Sequence, residues 1–411
     1  MSNWPIITFL IIASFINFSY TQKVYPTSAY ALINGQIVDI QNQTIVKATV
    51  LIKNGLIEKV QQPEESYDST YEVIDLENSY LLPGMIDVHT HLSSLSAANR
   101  ALISGVTTVR SASVPAFQDV SISEMTKNGF LEGPDMVACG VYVTPYLNET
   151  ILADPRLGNL SENVDSEDEL RQLVRINIDR GAEVIKTRGT ERAGLPETDP
   201  RQQTYTKQQL EWIVDEASKS NIPVMIHAHG DEGARAAVEA GAKSIEHGTF
   251  LTDETLSLMK EKDVFLVPTY ITLLDLVEPG GDYDNPVILM RGKYMIPRSQ
   301  RTIKSAMKMG VKIATGADNR YTSESTSRVS MEVEEFVKLG MDPWEALKTT
   351  TINGAELLGI ENSVGKIQPG FEADLIAVVD NPVEEKKALQ DVVMVMSNGN
   401  LSLLRLPFSR N

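Results

Sequence analysis

All five histidines of this 411-residue chain fall inside three short motifs. They are His89 and His91 in DVHTH, His227 and His229 in MIHAHG, and His247 in SIEHG. Neutral imidazole is the commonest protein ligand for zinc-like ions. The confinement of the imidazoles to three motifs indicates one shared function for them, and metal ligation is the function that fits best.

In two of these motifs the histidines are separated by one residue. Side chains at positions i and i+2 of a β-strand point to the same face of the sheet, so His89 and His91 can hold one ion. The alternative is a pair of core histidines with satisfied hydrogen bonds, because a lone His-x-His occurs often by chance. The same spacing recurs at His227 and His229, which favours the metal interpretation.

Lys186 in EVIKTRG and Asp318 in ATGADN complete the candidate ligands. An unpaired buried ammonium costs on the order of several kcal/mol, and metal ions would also repel it. Carboxylation of Lys186 by CO2 would convert it into a carbamate with two oxygen ligands. The alternative is an outward-facing lysine at a strand edge. Asp318 could bind a metal and hold a proton, or it could be a turn or N-cap aspartate.

Short apolar segments alternate with amphipathic helical segments between residues 83 and 363. Eight of them read as strands: MIDVHTHL, TTVRSAS, DMVACGVYV, EVIKTRG, PVMIHAHG, SIEHGTF, VFLVPTY and KIATGADN. Eight β/α repeats predict an α/β fold of the (β/α)8 TIM barrel type, whose active site lies at the C-terminal ends of the strands. Every histidine motif ends one of these segments, so the fold and the ligand interpretations agree.

The two ends of the chain are strand-like and differ from the centre. Asn34-Gly35, Asn54-Gly55 and Asn398-Gly399 are hairpin signals within them. Residues 24–82 and 364–411 therefore predict a small β-sandwich assembled from both chain ends. The centre, residues 83–363, is the predicted metal-dependent barrel.

Residues 1–22 carry no charged side chain and resemble the apolar core of a secretory signal. The alternatives are an uncleaved N-terminal anchor and a buried helix, and export to the periplasm or the medium is the expectation. Cys139 is the only cysteine, so an intramolecular disulfide is excluded, and it is expected to pack as a small apolar residue.

The formal net charge is −18, with 42% hydrophobic and 22% charged residues. This is the composition of a globular protein, and its acidity excludes nucleic acid and anionic membranes as partners, apart from the N-terminal segment. A small-molecule substrate is expected. The sequence does not set the oligomeric state, so a homo-oligomer stays open.

As an ordered set, five motifs resemble the amidohydrolase superfamily: LLPGMIDVHTHL, EVIKTRG, IPVMIHAHG, AGAKSIEHGT and KIATGADN. They are most similar to its imidazolonepropionase-like, prolidase-related branch, which includes metal-dependent dipeptidases and N-acyl-amino-acid hydrolases. The resemblance covers nearly all of the chain after residue 24. It implies two divalent ions, expected to be zinc. His89 and His91 would hold one and His227 and His247 the other, carboxylated Lys186 would bridge them, and Asp318 would bind the first.

The resemblance also implies a mechanism in which a metal-bridging hydroxide attacks an amide carbonyl. Asp318 would accept its proton and pass it to the leaving nitrogen. His229 is left without a ligand role, and is expected to face the substrate carbonyl or to support the ligands from behind. Related deaminases lack a bridging lysine, which argues against deamination. Glu246 is expected to face away from the site, because it precedes His247 on a strand.

The predicted function is therefore hydrolysis of amide or peptide bonds, in dipeptides or N-acyl amino acids. The alternatives are the same metals acting on an ester, lactone, cyclic amide or phosphotriester, and a non-catalytic scaffold. Arg188 could clamp a substrate carboxylate, or could pair with an acidic residue of its own loop. Tyr142 could line the pocket, with core packing as the alternative.

Overall fold

The computed structural model describes residues 28–160, 163–279 and 285–406, so the predicted N-terminal signal or anchor lies outside the described residues. The strands in these ranges are β1 (Ala29–Asp39), β2 (Thr44–Lys53), β3 (Leu56–Gln61), β4 (Glu72–Asp75), β5 (Tyr80–Pro83), β6 (Met85–Thr90), β7 (Val106–Ser111), β8 (Asp135–Val137), β9 (Ile185–Arg188), β10 (Val224–Ala228), β11 (Ser244–His247), β12 (Phe265–Val267), β13 (Leu375–Val378), β14 (Val392–Ser397) and β15 (Asn400–Leu404). The helices are α1 (Leu95–Ile103), α2 (Gln118–Lys127), α3 (Glu167–Asp179), α4 (Lys207–Ser218), α5 (Asp231–Ala240), α6 (Asp253–Glu261), α7 (Tyr270–Asp275), α8 (Pro286–Met309), α9 (Val329–Lys338), α10 (Pro343–Thr349) and α11 (Ile352–Leu358).

Both ends of the chain enter one eight-stranded sheet. Its order is β15-β14-β13-β5-β1-β2-β3, with β4 paired to β1. The two ends join where β13 pairs antiparallel with β5. Asn54 and Asn398 have φ of 53° and 54° in tight turns followed by glycine, as the hairpin signals predict.

The third hairpin prediction, at Asn34-Gly35, is wrong. β1 runs through these residues without turning, and its register against β2 shifts between Leu32 and Gly35. The positive φ of Asn34, 55°, therefore serves a bulge. Leu76 explains the glycine, because its Cδ1 lies 2.6 Å from where a Cβ on Gly35 would stand.

The centre of the chain forms two parallel sheets, β6-β7-β8 and β12-β11-β10-β9. Every residue of β6, β7, β9, β10 and β11 is buried, as in a parallel sheet that is covered on both faces. Isolated parallel bridges extend the two sheets: Val143 to Thr187, Leu266 to Ile313, and Thr90 to Asn319.

The eighth predicted strand, KIATGADN, forms no regular strand. It contributes only the bridges at Ile313 and Asn319. The backbone turns at Asp318, whose φ is 46° and whose N–H donates to the His89 carbonyl. This segment nevertheless lies beside β6 and β12, where the barrel prediction places it.

The helices pack outside the parallel sheets and contribute to one large apolar core. Thr206 begins α4 with a complete capping box, and Asp342 caps α10 with Pro343 in its first turn. Cys139 is fully buried in a small apolar cluster. Within the described ranges, no helix combines the length and the apolar character that a membrane span requires.

Candidate metal and catalytic site

One cavity collects every candidate ligand at the ends of the parallel strands. Its volume is about 1040 Å³. Its lining includes His89, His91, Lys186, His227, His229, His247 and Asp318. The shared strand direction explains this convergence, because the ends of neighbouring parallel strands lie at the same edge of the sheet.

The imidazoles lie close enough to share ions. The ring centroids of His227 and His247 are 4.4 Å apart, and those of His89 and His247 are 5.1 Å apart. Two groups of three side chains each have their ligand atoms within 4.8 Å of one another: His227, His229 and His247, and His89, His247 and Asp318. Either group could hold a metal ion.

His229 lies closer to the other histidines than its expected role requires. Its ring stacks on that of His247 at 4.6 Å, and its Nδ1 is 2.8 Å from the Thr249 hydroxyl. The structure therefore supports a third candidate role, that of an imidazole ligand beside His227 and His247, which the spacing of the histidines favoured and the family resemblance left out. The second His-x-His motif, read in the same way as the first, contains the signal for it.

Burial keeps four of the five imidazoles neutral. It lowers the pKa of His89 to about 4, that of His229 to about 3, and those of His227 and His247 well below the ordinary value. A buried imidazolium loses its hydration, so the uncharged ring is favoured. Metal ligation requires this neutral form.

Asp318 lies between the histidines. Its Oδ1 is 3.1 Å from Nε2 of His91 and 3.5 Å from Nε2 of His89. Burial opposes ionisation of the carboxyl, but the two histidines and Lys186 hold its pKa below the ordinary value. The carboxylate is therefore ionised at neutral pH and can bind a cation or accept a proton.

Lys186 is buried, with 2% of its surface exposed. Its Nζ lies 3.4 Å from Nε2 of His89, and no carboxylate of the described residues forms an ion pair with it. Burial lowers its pKa to about 8. A larger share of neutral amine is consequently present near neutral pH than for a solvated lysine.

The expectation that Glu246 faces away from the site is wrong. Its Oε2 lies 2.6 Å from Nδ1 of His89, and its Oε1 accepts a hydrogen bond from Nη2 of Arg110 at 2.9 Å. Although burial alone would raise the pKa of Glu246, Arg110 and His89 lower it to about 2. The strand alternation ends at His247, whose φ is 74°. The adjacent side chains of Glu246 and His247 therefore both reach the site.

The Glu246 carboxylate fixes the orientation of the His89 ring. Ionised Glu246 accepts a hydrogen bond from Nδ1–H of His89, which leaves the Nε2 lone pair to face the cavity. Sequence reasoning missed this pair, although Arg110 and Glu246, charged residues within apolar strand segments, were the available signal.

Arg188 and Tyr142 both line the cavity. Arg188 also makes the ion pair that its alternative interpretation expected, since its Nη1 lies 3.2 Å from Oε2 of Glu191. The guanidinium carbon lies 4.9 Å from the Tyr142 ring centroid.

Comparisons with known proteins agree with one another. The model of the amidohydrolase family matches residues 80–402. Ochratoxinase of Aspergillus niger is 26% identical over an alignment of 442 positions, gaps included, which covers 95% of this chain and 88% of that protein. Imidazolonepropionase of Treponema denticola is 23% identical over an alignment of 379 positions, which covers 81% of this chain and 85% of that protein.

A solved structure of a Xaa-Pro dipeptidase with bound methionine is also similar. It superposes with a TM-score of 0.82 at 26% identity, covering 91% of this chain and 99% of that one. These likenesses imply a TIM-barrel-like α/β fold.

Proposed function

The chain belongs to the amidohydrolase family and is a hydrolase acting on carbon–nitrogen bonds, and on this premise we propose that it uses two divalent metal ions to hydrolyse the amide bond of dipeptides or N-acyl amino acids. One observation carries the proposal. All five histidines, Lys186 and Asp318 line a single cavity, although they come from segments far apart in the sequence.

The donor set fits divalent ions. Five imidazoles and a carboxylate in a buried cavity match the nitrogen and oxygen ligands that zinc takes in proteins. Four of the imidazoles are neutral at pH 7 because burial lowers their pKa. A second layer also supports the ligands, since Glu246 holds His89 and Thr269 contacts Nδ1 of His247 at 2.6 Å.

In the proposed arrangement one zinc ion is held by His89, His91 and Asp318, and the other by His227 and His247. A carbamate on Lys186 would supply an oxygen to each. Carboxylation also accounts for a buried lysine without a carboxylate partner, because it replaces a cation with an anion. His229 takes either the substrate-facing role or the third imidazole position beside His227 and His247.

When bound, such ions lower the pKa of water and polarise a carbonyl. The remaining steps fall to the chain. The Asp318 carboxylate accepts the proton of the attacking water and returns it to the amide nitrogen as that bond breaks. An amine is a poor leaving group until it is protonated, so this return lets the carbon–nitrogen bond break. In its substrate-facing role, His229 donates from Nε2 to the developing oxyanion, while Thr249 contacts its Nδ1.

The wider architecture follows the same premise. We propose that β6 to β12 and the segment 312–319 form a closed (β/α)8 barrel within residues 83–363, joined by the three isolated bridges. The terminal parts, 24–82 and 364–411, would form the β-sandwich. We also propose that residues 1–22 direct export of the protein and that the chain associates with copies of itself.

Metal analysis tests the proposal. Purified protein, grown with zinc and bicarbonate, is expected to contain two ions per chain by inductively coupled plasma spectrometry. Chelation should remove both ions together with amide hydrolysis, and Lys186→Ala should lower the metal content. Exposed Lys219 provides the control, because Lys219→Ala removes a surface ammonium paired with Asp215 and Glu216. Full activity and stability in a metal-free chain would contradict the proposal.

A further inference from the structure

One wall of the cavity carries three buried polar atoms without a hydrogen-bond partner among the described residues. They are Oη of Tyr142, Oγ1 of Thr144 and Nε of Arg188. All three residues line the cavity beside the candidate metal ligands. Buried polar groups are normally paired, so three unpaired ones on one wall require an explanation.

The backbone explains why these side chains face the same way. Val143 and Thr187 form a parallel bridge, and both are fully buried. Their sequence neighbours therefore point to the opposite side, which is the cavity. Tyr142 and Thr144 stand on one segment, and Lys186 and Arg188 stand on the adjacent strand β9.

The guanidinium of Arg188 is only partly used. Nη1 donates to Glu191 at 3.2 Å, and Nε has no hydrogen-bond partner among the described residues. Nε and Nη2 form one edge of the planar group, and such an edge matches the two oxygens of a carboxylate. The residue is 9% exposed, so water reaches little of it.

The two hydroxyls complete an acceptor-binding surface. The Tyr142 ring lies 4.9 Å from the guanidinium carbon of Arg188 and 5.9 Å from Nζ of Lys186. Arginine and lysine only donate hydrogen bonds, so neither can accept the phenolic proton. The wall therefore offers donors from Arg188, Tyr142 and Thr144, and what it lacks is an anionic acceptor.

We propose that Arg188, Tyr142 and Thr144 form the subsite for the free carboxylate of the amino acid that leaves after hydrolysis. The inference rests on the proposed function for the direction in which the substrate lies. Lys186 and Arg188 are two residues apart, which is roughly 7 Å along a strand. The carboxylate of an amino-acid leaving group lies three bonds from the scissile carbonyl carbon, so one substrate can reach both positions. Arg188 and Tyr142 are thus specificity-determining residues.

The binding test uses L-phenylalanine and L-phenylalaninol, which differ only in the carboxylate and cannot be hydrolysed. Isothermal titration of the metal-loaded protein should show a clear preference for L-phenylalanine. Arg188→Gln should remove that preference, on the order of 100-fold in affinity, because a charge-assisted bidentate contact is lost. Arg188→Lys should restore only part of it, since lysine keeps the charge without the planar edge.

The kinetic test compares N-acetyl-L-phenylalanine with N-acetylphenethylamine, which keeps the amide and lacks the carboxylate. Arg188→Gln should lower kcat/KM for the first compound only. Tyr142→Phe removes one hydroxyl and should have a smaller effect in the same direction. Arg235→Gln is the matched control, because Arg235 lies exposed on α5 and pairs with Glu239. Melting temperatures verify that each variant folds.

The outcomes separate the two proposals. An Arg188-dependent preference for L-phenylalanine without hydrolysis of any amide would support the subsite and contradict the proposed function. Hydrolysis of both amides with no Arg188-dependent preference would support the function and overturn the subsite. An unchanged preference in folded Arg188→Gln would also overturn it, by placing the carboxylate elsewhere.

Discussion

At the scale of single residues, burial sets the charge of the site. It lowers the pKa of His89, His227, His229 and His247, so these four rings are neutral and can bind a cation. Asp318 stays ionised in the same cavity, because the groups around it lower its pKa against the effect of burial. Neutral rings beside one fixed carboxylate form a site for a divalent ion and for a proton in transit.

Asp318 is expected to be indispensable for turnover and dispensable for folding. Asp318→Asn keeps the shape of the side chain and removes its ability to take a proton. We expect kcat to fall by about 10²–10⁴, the range that general acid–base groups contribute. The measurement is amide hydrolysis at saturating substrate, with the melting temperature as the folding control. Wild-type rates in this variant would remove Asp318 from proton transfer.

The buried amine of Lys186 should react with CO2 in a pH-dependent way. Only the neutral amine can be carboxylated, and the protonated share grows as the pH falls below its pKa of about 8. At constant dissolved CO2, carbamate formation in the chelated protein should therefore slow by about tenfold per pH unit below 8 and level off above it. Carbon-13 bicarbonate and NMR follow the carbamate signal.

Lys186→Ala is the control for that signal. A carbamate resonance of equal size in this variant would mean that another amine is modified. A rate that does not change between pH 6 and pH 8 would contradict the lowered pKa of Lys186.

At the scale of elements, the strands position ligands through contacts that the motifs do not contain. Glu246 on β11 holds His89 on β6, and Arg110 on β7 fixes Glu246 through Nη2 and Val88 through Nε. Three strands thus contribute to the orientation of one imidazole. Removing Glu246 would free the His89 ring and would leave the buried Arg110 guanidinium without its ion-pair partner.

Gly316 tests how closely the eighth segment must approach β6. A Cβ at this position would stand 2.5 Å from Cβ of His89 and 2.9 Å from Cγ1 of Val267. Gly316→Ala should therefore destabilise the fold by about 1–3 kcal/mol through overpacking and should weaken metal binding by displacing His89. Gly158→Ala is the control, because nothing lies within 4 Å of its Cβ. Thermal melting and zinc titration measure both effects.

Equal stability and equal zinc affinity in Gly316→Ala and the control would contradict this packing argument. A loss of stability with unchanged zinc affinity would separate the packing of the segment from the position of His89.

The elements that the sequence predicted well are those with a local signal. Seven of the eight central segments contain strands. Thr206 and Asp342, whose residue types favour helix N-termini, cap α4 and α10. The failures depend on contacts distant in sequence. Leu76 packs against Gly35, which lies inside β1, and the positive φ of His247 lets its side chain reach the site beside that of Glu246. Neither the packing of Leu76 nor the turn at His247 produces a periodic pattern in the sequence.

At the scale of the whole molecule, the sequence predicted that the candidate ligands meet and named Arg188 and Tyr142 as pocket candidates, but it did not place Thr144 beside them. The motifs lie at strand ends, and parallel strands bring such ends together. The three unpaired donors of that wall depend on the bridge between Val143 and Thr187, and of these two residues only Thr187 lies in one of the five motifs. The sequence therefore left the role of Arg188 open between a substrate contact and an ion pair within its own loop.

The most direct test of the central claim is amino-acid release from a panel of dipeptides and N-acyl amino acids. It is measured on the metal-loaded protein, after chelation, and after zinc and bicarbonate are returned. We predict that the metal-loaded protein releases amino acids and that chelation abolishes this release. Release should recover as two ions per chain bind again. Release that survives complete chelation would contradict metal-dependent hydrolysis. Two bound ions without release from any member of the panel would contradict the proposed substrate class.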